Sequence, residues 1–245
     1  IERRGSQSAH PRAHYINTRT NELFHSWGIY KKVRDVGFPE DKMPFSTLAL
    51  FGGISDEDRA RFSPALVGST AQDLIEHQIK QLVLMQGMTD ILYSTSFKSF
   101  VDKKDGVTVV ATSLDGEVEF DARFLAACDG ANSEVRDILG FQMIGDSHVG
   151  SVINIYLEGR IRAENKDPEI GMLPVDRDIK GAFLCMDGYE RWCLHVYYDP
   201  KKENVEDFTM ERCRDIVKRA AGIDDNTSFE IKMIRPWRMT AHLAE

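Results

Sequence analysis

The chain has 245 residues, enough for one large domain or two ordinary ones around a substantial core. With 39 acidic against 31 basic residues its formal charge is −8, which argues against nucleic acid or an anionic membrane as main partner, because both need concentrated Lys and Arg. Cys128, Cys185, Cys193 and Cys213 show no CxxC spacing and three of them lie in apolar runs, so reduced thiols in an intracellular, cytoplasmic setting are expected, with no disulfide and no metal site.

No apolar run reaches the roughly 20 residues of a membrane span, and the opening IERRGSQS lacks a signal-peptide core and reads as the end of a strand. In NTRTNELFHSWG, Asn17 or Thr18 can cap a helix that carries Leu23, Phe24 and Trp27 on one face and stops before Gly28. Ile29, Val33 and Val36 continue at helical spacing to Gly37, and Pro39 and Pro44 then break the pattern. Residues 38–69 read as loop and short strands. In STAQDLIEHQIKQLVLMQG, Thr70 and Asp73 have capping-box spacing, and Ile75, Ile79, Leu82 and Val83 form one stripe that predicts a helix ending before Gly87.

Three strands follow, around 91–101, 107–112 and 118–125, separated by the hairpin signals KKDG and LDGE. The last runs into FLAAC, apolar on both faces, which predicts a parallel strand buried between helices. Helix signals resume in CDGANSEVRDILG, with Val135, Ile138 and Leu139 as its apolar side. Beyond it, strands are expected at 152–157, 182–186, 192–198 and 229–234, with a hairpin at Asp187-Gly188. A helix interrupts them, with Cys213, Ile216, Val217 and Ala220 on its buried face and Gly222 after it. The change of character near 141–150 suggests a domain boundary.

Asp129 is the residue a core does not account for. A strand ending there places its carboxylate at the carboxyl edge of a sheet, with Gly130 allowing a tight turn and a helix N-terminus just beyond, an arrangement that suits a ligand bearing hydroxyl and phosphate groups. An Asx turn that caps the helix is the alternative. Arg12 as a surface ion-pairing residue, Gln72 as a solvated first-turn residue, and Tyr156, His195, Tyr197 and Tyr198 as sheet-packing side chains are the corresponding structural readings.

CDGANSEVRDILG resembles the DG motif of the FAD-dependent aromatic hydroxylases, the class A flavoprotein monooxygenases of the phenol hydroxylase and para-hydroxybenzoate hydroxylase type. HPRAHYINTRTNELFHSWGI is similar to the segment after the second strand of that family's FAD domain, Thr70–Glu76 to a helix start that touches FAD, and IRPWRMTAHLAE to the stretch before the Gly-Asp motif. The resemblance implies an α/β fold: an incomplete FAD/NAD(P)-binding Rossmann-like domain at 1–145 and a β-sheet-rich substrate domain at 146–245. It implies Glu2, Arg12, Gln72 and Asp129 as cofactor-binding residues, FAD as cofactor and NADPH or NADH as reductant. The implied reaction is hydroxylation of a small aromatic, phenolic substrate by dioxygen through a flavin C4a-hydroperoxide; no catalytic residue is assigned. The sequence holds neither GxGxxG nor a Gly-Asp motif in the family's position, Gly145-Asp146 being a dipeptide in a linker. An internal piece starting about 30 residues into the family's FAD domain is therefore expected. Another enzyme of the FAD fold (epoxidase, halogenase or reductase) and a non-catalytic interaction module are the rival readings.

Overall fold

The computed structural model describes residues 1–8, 10–38, 61, 63, 65, 67–162 and 171–245. Most of the expected loop at 38–69 lies outside the described residues. The chain divides into two compact units, one made of 1–7, 83–147 and 241–245, the other of 8–82 and 148–240.

In the larger unit, strand β1 (Tyr15–Ile16) pairs antiparallel with β2 (Gly68–Ser69). Between them come the helices Thr18–Ser26 and Tyr30–Asp35. Asn17 caps the first, its Oδ1 accepting from the Thr20 amide at 2.8 Å, and the second ends before Gly37 as its spacing predicts. Ile16, Phe24, Ile29 and Val33 form a small core against which Ile75, Ile79 and Leu82 of the helix Gln72–Gln86 pack, so the predicted stripe is the packing face. The capping box at Thr70 does not form. The Thr70 hydroxyl donates instead to the Val33 carbonyl at 3.1 Å, and Asp73 turns to an arginine described below, because in both cases a tertiary partner outcompetes the local cap.

The rest of this unit is a five-stranded sheet in the order β10-β6-β9-β8-β7, built from β6 (Met143–Gly159), β7 (Gly171–Met172), β8 (Gly181–Cys185), β9 (Arg191–Tyr198) and β10 (Phe229–Ala244). The β8–β9 turn is the predicted Asp-Gly hairpin, and Asp187 Oδ1 accepts the amides of Tyr189, Glu190 and Arg191. Strand alternation sorts the side chains to two faces. Ile153, Ile155, Leu157, Phe183, Cys185, Trp192, Leu194 and Val196 point to one face and are closed over by Cys213, Ile216, Val217 and Ala220 of the helix Met210–Ala221. Thr209 caps that helix, and Gly222 ends it in the left-handed region at φ 66°, a conformation glycine adopts without a Cβ penalty. Burial of each such aliphatic side chain stabilises by roughly 1.5–3 kcal/mol, so this face is the anchor of the unit.

The smaller unit carries an antiparallel meander, β3 (Ser96–Lys103), β4 (Gly106–Ser113) and β5 (Gly116–Ala122), where three strands are expected. The next segment departs from expectation. Phe124–Cys128 pairs with no strand among the described residues and is exposed, Phe124 by 82%. A parallel strand exists only through hydrogen bonds to a neighbour, and none of the described strands lies alongside it. The helix after it is short, Glu134–Ile138, and only Val135 of its apolar side is buried; Ile138 and Leu139 are exposed.

Candidate functional site

The opposite face of the five-stranded sheet is polar. Register places Asn154 on β6 opposite His195 on β9, and His195 opposite Ala182 on β8; the neighbouring row holds Tyr156, Cys193 and Leu184. This face is covered by the start of the chain's larger unit. Ala71 and Leu74 pack on Met186, Cys193 and Leu184. The segment 10–16 is laced to that helix start by the Thr70 amide donating to the His14 carbonyl and the Gln72 amide to the Ala13 carbonyl, each at 2.7 Å.

Between cover and sheet runs a chain of polar contacts. Arg191 Nη2 reaches Asp73 Oδ2 at 2.7 Å, both side chains less than one-fifth exposed. Its Nε donates to Tyr156 Oη at 3.1 Å, and the Tyr156 hydroxyl donates to Glu158 Oε1 at 2.5 Å. Burial, then the bond to Glu158, pushes the Tyr156 hydroxyl up to about 12, so it stays protonated and keeps donating. The His10 ring lies 6.0 Å from that of Tyr156, and its Nε2 is buried without a hydrogen-bond partner among the described residues, as are Asp73 Oδ1 and Asn154 Oδ1. His14 Nδ1 is held by the Ser69 hydroxyl at 2.9 Å. All three imidazoles are kept neutral: burial lowers His195; burial and then His195 lower His14 to about 4; burial, then Arg235, Arg12 and His195, lower His10 against the pull of Asp73.

The four residues singled out from the sequence fall in pairs. Arg12 and Gln72 come together in the larger unit, since Gln72 bonds the residue next to Arg12. The Arg12 side chain is exposed and has no hydrogen-bond or ion-pair partner among the described residues, while Gln72 Nε2 donates to Glu76 Oε1 at 2.6 Å. Glu2 and Asp129 belong to the smaller unit. Glu2 sits in a backbone clasp, its amide donating to Leu92 and its carbonyl accepting from Thr95, with Oε1 taking the Arg4 amide at 2.9 Å. Asp129 supplements the Ser133 N-cap of its helix: Oδ2 accepts the Val135 amide at 3.3 Å, and the Ser133 hydroxyl, then the backbone amides, hold its carboxyl below the usual range. A cavity of about 520 Å³ in this unit, lined by Phe100, Lys103, Arg123, Phe124, Val135 and Leu139 among others, contains none of the four.

Asp73, Arg191, His10 and His14 were not singled out. Asp73 reads locally as a cap and Arg191 as a hairpin charge; their pairing spans 118 residues and has no local signal. HPRAH did carry a signal, two histidines flanking Arg12 in a run otherwise short of charge.

The family model described as an FAD binding domain matches residues 1–245. The chain is 30% identical over 260 residues to a putative polyketide hydroxylase of Streptomyces halstedii, with 100% of this chain and 46% of that protein covered. It is 25% identical over 283 residues to a tetracenomycin A2 monooxygenase-dioxygenase of Streptomyces glaucescens, covering 100% and 49%. Its fold superposes with a TM-score of 0.85, at 25% identity, on aklavinone-11 hydroxylase crystallised with FAD and aklavinone, covering 100% of this chain and 49% of that one. The chain thus spans about half the length of the relatives it matches. Matched from residue 1 to residue 245, this chain belongs to the FAD-binding-domain family that includes aromatic and polyketide hydroxylases.

Proposed function

We propose that this chain is the part of an FAD-dependent monooxygenase that holds the cofactor with residues of 1–145 and covers an aromatic substrate with the sheet of 146–245. The observation that carries the reading is Arg12, an exposed guanidinium with no partner among the described residues, fixed beside Gln72 in a chain matched by the FAD-binding family along its whole length. The donor set fits the cofactor. A planar guanidinium fork suits phosphate or a flavin edge, and the Gln72 amide oxygen is not used in its bond to Glu76.

FAD, reduced by NADPH or NADH, supplies the redox chemistry by which one atom of dioxygen enters an electron-rich ring and the other leaves as water. The protein's share is placement and shielding. The sheet, sealed on its far side by the helix Met210–Ala221, gives the ring a rigid floor, and the segment 10–16 with the start of the helix Gln72–Gln86 walls it from water.

The test is flavin binding by a chain extended to the length of its relatives. Arg12→Ala is expected to weaken FAD at least tenfold, with Arg12→Lys intermediate, and phenols are expected to yield hydroxylated rings. Residues 1–245 alone, lacking the glycine-rich phosphate loop, are expected to purify colourless. Wild-type FAD affinity in Arg12→Ala, or an extended chain that binds no flavin, overturns this assignment; stoichiometric flavin on 1–245 would show only that the glycine-rich loop is not needed for binding.

A further inference from the structure

The polar face of the sheet contains a cluster that cofactor contacts do not use. Asn154, His195 and Ala182 lie side by side on three adjacent strands, facing away from the core that fills the other side of the sheet. Ala182 is the smallest member of the row, so the sheet surface is lowest beside His195. His14 stands over this row from the covering segment, close enough that His195 perturbs it, and the Ser69 hydroxyl on its Nδ1 fixes the ring and leaves Nε2 for another partner. Asn154 Oδ1 is buried with no hydrogen-bond partner among the described residues, and the half-buried His195 ring has no side-chain hydrogen bond among them either. Buried polar groups are normally satisfied, and a cluster left open in one place is a place for a ligand's polar atom.

The character of the cluster is as informative as its position. Burial holds both the His14 and the His195 imidazole below the ordinary range, so both are neutral at pH 7. Arg191, the cation on the same strand two rows away, is already committed to Asp73 and Tyr156. The groups presented are therefore neutral imidazole nitrogens and an amide oxygen, which can both donate and accept but cannot neutralise an anion.

Resting on the monooxygenase reading above, we propose that His14, His195 and Asn154 form an uncharged hydrogen-bonding subsite for a neutral oxygen function, a phenolic hydroxyl or quinone carbonyl, on the aromatic substrate. The subsite selects neutral polyhydroxylated rings over rings that carry a carboxylate at that edge, since an unpaired buried anion costs far more than a hydrogen-bonded neutral oxygen.

The test is equilibrium binding, without turnover, to the FAD-loaded chain extended to its relatives' length, using a dihydroxyanthraquinone and the ring-matched carboxylated analogue, both followed by ligand fluorescence. The quinone is expected to bind at least tenfold more tightly than the carboxylate. His195→Leu should weaken the quinone about tenfold and leave the carboxylate unchanged, and His195→Gln, which keeps a donor and an acceptor, should restore most of the loss. FAD affinity and the unfolding midpoint should match the parent in both variants, which separates a lost contact from a damaged fold; if His195→Leu unfolds, the same comparison is made with Asn154→Leu. Tighter binding of the carboxylate, equal quinone affinity in the leucine variants, or no binding of either ligand overturns the subsite. A chain that binds quinone through His195 yet hydroxylates nothing leaves the subsite standing and removes the monooxygenase reading. A hydroxylase indifferent to His195 does the reverse.

Discussion

Replacing Arg191 with methionine tests the ion pair that ties the cover of the larger unit to its sheet. The change removes Nη2 from Asp73 and Nε from Tyr156, and because Asp73 Oδ1 has no partner among the described residues, the carboxylate is left buried with none among them. Removing one partner of a fully buried pair costs about 3–5 kcal/mol. Here the side chains are 19% and 18% exposed, so water recovers part of the loss and about 2–3 kcal/mol is expected. For a chain of this length that lowers the unfolding midpoint by about 4–12 °C. Tryptophan fluorescence is the assay, because Trp27, Trp192 and Trp237 all belong to the unit in question and report on it without contribution from the other. Asp73→Asn should cost about 2 kcal/mol by the same reasoning, and the double variant should be no worse than Arg191→Met alone, a coupling of about 2 kcal/mol or more. Additive losses, or a change under about 0.5 kcal/mol in Arg191→Met, would show that the pair is a surface contact and that something else joins cover to sheet.

Acid should destabilise the larger unit before its carboxylates titrate. The folded state holds His14 at about 4 and lowers His10 and His195 from 6.5, so between those limits the unfolded chain binds more protons; stability is fully present above pH 6.5 and falls as pH drops toward 4. For His14 alone that is about 3 kcal/mol, and His14→Gln should flatten this limb of a stability-against-pH curve; an unchanged slope would show that His14 is not held neutral. Asp129→Ala removes the acceptor for the Val135 amide and should cost at most about 1 kcal/mol, as a lost cap does, with unfolding followed by circular dichroism. If the same variant, extended to its relatives' length, also loses FAD affinity, the carboxylate serves the cofactor as well as the cap; unchanged affinity confines it to the cap.

What was legible in the sequence followed from the range of the forces involved. The helix Met210–Ala221 was readable to its buried residues because Cys213, Ile216, Val217 and Ala220 repeat at helical spacing between Thr209 and Gly222, all within one local stretch. The meander was readable because Asp-Gly turns fix hairpins locally. FLAAC failed for the converse reason: its composition states what kind of neighbour it needs, but a strand is a relation between two segments, and no described strand answers it. The site divides the same way. Arg12 and Gln72 were expected at the cofactor from motifs, and the structure sets them side by side, whereas the pairing of Asp73 with Arg191 is a product of tertiary folding alone.

The two faces of the five-stranded sheet explain why function collects where it does. One face is filled with Ile, Leu, Val, Phe and Trp and closed by an amphipathic helix, so its side chains are fixed by packing and any change there acts through stability. The alternate residues of the same strands therefore inherit rigid backbone positions at no further cost in order, and can carry Asn154, Tyr156, Arg191 and His195 in fixed geometry. A cluster of buried imidazoles, an amide and an ion pair is a poor way to stabilise a fold, since each group gives up water for a partner it only partly has. The apolar face makes that affordable to the structure, and binding of a substrate oxygen is what would complete the missing hydrogen bonds. On this view His195→Leu should leave the unit as stable as the parent or more so, and only ligand binding should suffer; that pairing of outcomes is not expected of a residue kept for packing.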